Sequence, residues 1–167
     1  MTRGLSILTL LCLLGAGPVL PGKEPNLQGL IGGLGDPDGQ VRARAAMTLA
    51  LDREAARTAL PALARALGDR NLNVRYWAAS ALQSLGPEAK VAVPELSRAL
   101  RTFPGGVPEL EGPPRYFADV RVLSAQALGA IGPAAQEAIP ALEEAARDPQ
   151  ATVREAAIAA LRAIRGE

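Results

Sequence analysis

The sequence predicts an all-α fold, an α–α superhelix of about four stacked helix pairs. Three observations carry that reading. Val-Arg recurs at Val41-Arg42, Val74-Arg75, Val120-Arg121 and Val153-Arg154, in steps of 33, 46 and 33 residues, and each copy has a Leu eight positions after its Val (Leu49, Leu82, Leu128, Leu161). Self-similarity with a period of this size marks a solenoid, in which each unit buries its apolar face only against its neighbours. Counted from Val as zero, positions 0, 4, 7, 8 and 11 are apolar or small, as in Val74, Ala78, Ala81, Leu82 and Leu85. At about 100° per residue these positions share one helical face. Finally, aromatics make up only 3% of the chain, and Ala, Leu and Arg dominate it. Such a composition suits closely approaching helices and leaves little β-branched material for strands.

Residues 1 to 22 read as a targeting segment. Arg3 gives a positive start, Leu5 to Leu14 form the apolar run, and Gly15, Ala16, Gly17 and Pro18 break it before polar Lys23 and Glu24. This order is that of a secretory signal, so the chain is expected to be exported to a periplasm, a cell envelope or the medium. A ten-residue helix rises about 15 Å, half of a hydrocarbon core about 30 Å thick, so no membrane span is expected in the mature chain. A lipid anchor on Cys12 and an uncleaved N-terminal anchor are the alternatives; bulky Leu11 before Cys12 argues against the first.

The solenoid is expected over 23 to 167, with repeats at about 26–53, 54–86, 87–132 and 133–166. The first helix, Leu27 to Leu34, carries Gly29, Gly32 and Gly33, each costing about 1 kcal/mol relative to Ala, so this end should be the weakest. In the later repeats the first helix is expected to start at Pro61, Pro94 and Pro140, because Pro fits a first turn whose N–H has no partner to lose. A turn with Asp follows, at Asp36, Asp69 and Asp148. Asp38 and Asn71 then stand where an N-cap would open the second helix. That helix is expected to end at Gly86-Pro87 and Gly132-Pro133.

The long second step holds an insertion at 102 to 117. Four Pro and three Gly in this run exclude a regular helix, so a loop is expected. Loops on a rigid scaffold often carry function. Phe103, Tyr116 and Phe117 lie in it; the other aromatics, Tyr76 and Trp77, begin the preceding second helix. Two readings stand open. Phe103 and Phe117 pin the loop to the stack while Trp77 fills a gap between repeats, or Tyr76, Tyr116 and their neighbours form an aromatic patch that holds a peptide.

The run Val-Arg-x-x-Ala-Ala-x-Ala-Leu-x-x-Leu-Gly-Pro-Glu-Ala at 74 to 89 resembles HEAT repeats of the short kind found in phycobilisome lyase subunits and many bacterial proteins. The likeness extends over about residues 26 to 166. It implies a polar ladder along the stack, formed by Asp36, Asp69 and Asp148 with Arg42, Arg75, Arg121 and Arg154. In the third repeat the ladder Asp position is Arg115, and Asp119 stands beside Val120 instead, so the ladder should break or reroute there. Recurrence in every repeat makes these pairs structural rather than catalytic. The resemblance also implies that the second helices line the concave side. Positions 2, 6 and 9 of those helices should then form an exposed, mild strip, including Tyr76, Ser80, Gln83, Val122 and Gln126, suited to a partner helix or peptide.

Composition limits the chemistry. The chain has no His, and its single Cys is Cys12, within the targeting segment. A mature chain without imidazole or thiol has no disulfide, no His- or Cys-ligated zinc and no His acid–base relay. No cofactor and no catalytic residue are expected. Iron-binding enzymes of this architecture use His–Glu pairs, which this chain cannot supply. Residues 23 to 167 carry 17 basic and 17 acidic side chains, which argues against a nucleic-acid ligand. The expected function is a non-catalytic scaffold for a protein or peptide partner. A non-catalytic subunit of a lyase-like complex is the alternative, a nucleic-acid-binding solenoid a more distant one, and association through either end of the stack is a further expectation.

Overall fold

The computed structural model describes residues 26–102 and 119–167. The targeting segment and all but the first residue of the 102 to 117 insertion, Phe103 and Tyr116 included, lie outside them. Among the described residues no strand forms. Helix α1 spans Leu27–Gly33, α2 Gly39–Leu51, α3 Arg53–Thr58, α4 Leu60–Ala66, α5 Leu72–Leu85, α6 Val93–Thr102, α7 Val120–Ile131, α8 Ile139–Ala145 and α9 Ala151–Arg165; 3-10 turns at Gly86–Ala92 and Gly132–Ala138 lead into α6 and α8.

The second helices of the four pairs are α2, α5, α7 and α9. Asp38 opens α2 by accepting the Gln40 N–H at 2.8 Å, and Asn71 opens α5 by accepting the Asn73 N–H at 2.9 Å. In the third repeat Asp119 takes this role, accepting the Arg121 N–H at 2.9 Å, so α7 starts at its Val rather than two residues before it. The stop signals work through backbone conformation. Gly86 and Gly132 have φ of 59° and 70°, a region that a side chain disfavours, and the Pro that follows each is the second residue of the 3-10 turn.

The first helices are longer than the Pro-start expectation and are bent. In the second repeat α3 precedes α4, with Ala59 between them at φ −85°, ψ 3°, and Pro61 is the second residue of α4. Pro94 and Pro140 likewise follow the 3-10 turns. Pro61, Pro94 and Pro140 thus stand in the first turns of α4, α6 and α8 as expected, and α3 and the 3-10 turns add a preceding segment to each first helix. Asp52 caps α3 by accepting the N–H groups of Glu54 and Ala55.

Positions 0, 4, 7, 8 and 11 of α5, α7 and α9 are all buried, and they join one continuous core from Ala43 to Ile164. Much of that core is Ala. Second helices pack directly on second helices along the stack, whereas the first helices touch one another sparingly. A Cβ at Gly129 would lie 3.1 Å from Ala160 Cα, so α7 and α9 approach almost to backbone contact. Between α4 and α6, in contrast, a groove of about 350 Å³ remains, and between α1 and α4 one of about 250 Å³. Rows spaced closely on one side and widely on the other curve the stack, with the second helices inside. Helix α1 buries none of its residues.

Candidate functional site

The inner face is built by α5 and α7. Tyr76, Ser80 and Gln83 stand on α5, and Val122, Gln126 and Gly129 on α7. The amide of Gln83 donates to Oε1 of Gln126 at 3.2 Å, tying the two helices across the seam. Tyr76 and Trp77 pack edge to face, ring centroids 5.1 Å apart and planes at 85°, and both rest half-buried on the core. Such aromatic pairs are rigid and amphipathic, the usual anchors of protein interfaces.

The expectation of a fully exposed strip requires correction. Tyr76, Ser80, Gln83, Val122 and Gly129 are half-buried and Gln126 is exposed; in the first repeat Ala43 is buried, with Met47 and Ala50 half-buried. Only in α9 are all three positions, Glu155, Ala159 and Arg162, exposed. The reason is the Ala- and Gly-lined seam. It brings successive second helices so close that these positions fall between neighbours instead of on an open ridge. The resulting surface is shallow and carries few charges.

The polar ladder runs along the turns. Each second-helix Arg whose own turn is described binds the carbonyls of that turn: Arg42 Nη1 donates to Asp36 O at 2.8 Å and Pro37 O at 3.1 Å, Arg75 Nη1 to Asp69 O at 2.8 Å and Arg70 O at 3.2 Å, and Arg154 Nη1 to the Asp148 and Pro149 carbonyls, both at 2.8 Å. The rest of the guanidinium reaches the next repeat. Arg42 grips the Asp69 carboxylate with Nε at 2.7 Å and Nη2 at 2.9 Å, and Arg121 Nη1 donates to Asp148 Oδ2 at 2.5 Å.

At the third repeat the ladder reroutes through Asp119, whose Oδ2 receives Arg121 Nη2 at 2.6 Å. Arg121 is thereby held between two carboxylates while 0% exposed. The hydrogen bond to Asp119 raises its pKa above the ordinary guanidinium value against the opposing effect of burial. For Asp69, burial pushes the carboxyl up, but the Arg42 and Asn71 hydrogen bonds with the charges of Arg42 and Arg70 prevail and hold it below the usual carboxylate range. Burial lowers the Arg75 pKa, with the Asp69 charge opposing. The ladder position Arg115 lies outside the described residues.

Sequence reasoning missed a second set of ties on the far side of the turns. Arg53 donates to the Ser84 carbonyl, to Leu85 O at 3.2 Å and to Glu88 at 2.7 Å, so a cation sits on the negative C-terminal end of α5. Arg101 pairs with Glu144 at 3.1 Å and Arg165 with Glu143 at 2.6 Å. None recurs at the repeat period, which is why no spacing announces them. Among the described residues no group of three or more His, Cys, Asp or Glu side chains is placed to hold a metal ion.

An inner row of tightly spaced helices, an outer row of bent ones and an Arg–Asp ladder across the turns define an α-solenoid. The chain belongs to the HEAT-repeat family: the family model for HEAT repeats matches residues 27–107 and 114–167. Among solved structures it is similar to the complex of CpcE and CpcF of phycocyanin lyase from Nostoc sp. PCC7120, at 25% identity and TM-score 0.54, over 90% of this chain and 69% of that one. Two engineered proteins share the fold: one at 20% identity and TM-score 0.61, over 83% of this chain and 37% of that one, and the other at 18% and 0.59, over 83% and 62%. No curated protein matches the sequence.

Proposed function

We propose that the chain is an exported, non-catalytic scaffold that binds a protein or peptide on the inner face of α5 and α7. The observation that carries this reading is the shallow, weakly charged surface around Tyr76, Trp77, Ser80, Gln83, Val122 and Gln126, organised by an aromatic pair and a Gln–Gln bridge. A partner there meets rigid aromatic area with a few adaptable hydrogen-bonding groups, the composition of an interface hot spot. The lack of His and the confinement of Cys to position 12 support the non-catalytic part, and the order of residues 1 to 22 supports export.

The test is affinity capture from the native envelope fraction, followed by titration of the captured partner with Tyr76→Ser and Tyr116→Ser chains. Tyr76→Ser should weaken binding about tenfold or more. Unchanged affinity in both variants would remove the inner face from the proposal. Mass spectrometry of the native chain decides export: loss of the first 15 to 22 residues supports it, and an intact Met1 refutes it. The likeness to the CpcE–CpcF complex favours a second reading, a non-catalytic subunit of a lyase-like assembly. Its mark would be co-purification with a second solenoid chain in fixed ratio.

A further inference from the structure

Within the stack every ladder Arg whose own turn is described donates to two carbonyls of that turn, and Arg42 and Arg121 also donate to the turn Asp of the following repeat. At the C-terminal end Arg154 performs only the first task, through Nη1; its Nε and Nη2 meet no partner among the described residues. At the other end Asp36 shows the reverse. Its Oδ1 accepts the Asp38 N–H at 2.8 Å, as Asp69 accepts that of Asn71 and Asp148 that of Gln150, yet among the described residues no guanidinium donates to its carboxylate, Arg42 reaching only its main-chain carbonyl. The ladder thus presents a cation at one end and a carboxylate at the other. Both stand at the ladder positions that Arg42 and Asp69 occupy when they join.

The apolar surface follows the same logic. Position 5 of the second helix is Ala46, Ala79 and Ala125 in the first three repeats, each wholly buried by the next repeat. In α9 that position is Ile158, 40% exposed. Arg154 and Arg165 on the same helix are engaged on the turn carbonyls and on Glu143. On the opposite end face Arg44 is exposed and Thr48 half-buried, where the equivalent Leu123, Ala127, Ala156 and Ala160 are buried against the preceding repeat. The seam register, read from Gln83 on Gln126 and Gly129 on Ala160, sets position 5 of one helix near positions 2 and 3 of the next. It would therefore lay Ile158 beside Ala43 and Arg44, with exposed Glu155 nearby to meet the Arg44 charge.

We propose that this chain associates head to tail, Arg154 of one copy donating to Asp36 of the next and Ile158 closing the seam as an inter-repeat contact. Such an interface is heterologous, so it propagates instead of closing as a two-fold dimer. It does not depend on the partner-binding reading above.

Sedimentation velocity from low micromolar to about 1 mM protein tests it. The average mass should climb beyond one copy with concentration, and less so at high salt. Asp36→Arg and Arg154→Asp should each weaken association about tenfold or more by opposing like charges. An equimolar mixture of the two variants should regain it, because every junction then pairs opposite charges again. Should Arg154→Asp lose its helical circular dichroism, exposed Ile158→Glu replaces it and must weaken association equally. One copy's mass at all concentrations, a closed dimer indifferent to both substitutions, or a mixture that fails to recover would each overturn the proposal.

Discussion

Arg121 shows what a guanidinium inside a helical stack needs. Its side chain is fully enclosed, and the carboxylates of Asp119 and Asp148 take its N–H groups at 2.5 to 3.2 Å. A buried charge survives only with such partners, and removing one member strands the others. Arg121→Ala should therefore cost about 3–5 kcal/mol, read as a lower urea midpoint. Ser124 is the opposite case. It occupies the helix position held by Ala45, Ala78 and Ala157 in the other repeats, it is wholly buried, and its hydroxyl has no hydrogen-bond partner among the described residues. Ser124→Ala should stabilise the protein by about 1 kcal/mol, since it deletes an unpaired polar group and improves helix propensity. Asp69 makes stability depend on pH. Its carboxyl is held below the usual value of 3.8, so its contribution is complete above that value and is lost as pH falls through the lower, folded one. Thermal midpoints measured from pH 6 to pH 2 should drop in the acid range, and Asp69→Asn should drop less steeply there while starting lower.

At the scale of elements, the seam between α7 and α9 is the tightest constraint. Gly129 faces Ala160 with no room for a larger side chain. Gly129→Leu should cost about 1–3 kcal/mol through overpacking, and hydrogen exchange should report the loss first in α9. The second helices were legible in the sequence because their signals recur: a cap, a Val-Arg start, a 3.6-residue apolar period and a Gly-Pro stop. The first helices were only half legible. Their N-terminal parts, α3 and the two 3-10 turns, lie before the Pro that marks the first turn of α4, α6 and α8, and a helix start signal says nothing of a further helical segment packed ahead of it. Asp119 was noticed as a displaced acid, but its hold on Arg121 depends on where α7 begins, which the spacing alone does not determine. Burial of the inner strip was missed because helix wheels treat each helix alone, whereas Ala and Gly on one helix decide how closely the next can come.

For the whole molecule, stability in a solenoid is a sum of repeat and interface contributions, so the ends open first. Helix α1 has no buried residue and carries three Gly; its Asn26 cap closes only its own first turn, and partly buried Leu27, Leu30 and Ile31 pack it on the core. Its amides should exchange orders of magnitude faster than those of α5, whose Val74, Leu82 and Leu85 are wholly enclosed. A uniform exchange rate across the four pairs would show instead that the stack unfolds as one unit.

The uneven spacing of the two helix rows also has a mechanical meaning. Along the inner row the helices already touch at Gly129 and Ala160, so that line resists compression as a spine does. Along the outer row the grooves between α1, α4 and α6 leave room for movement. Bending therefore pivots on the inner spine, with the outer helices moving apart or together like the leaves of a book. A ligand seated on the inner face would find its contact surface nearly constant in length while the back of the molecule breathes.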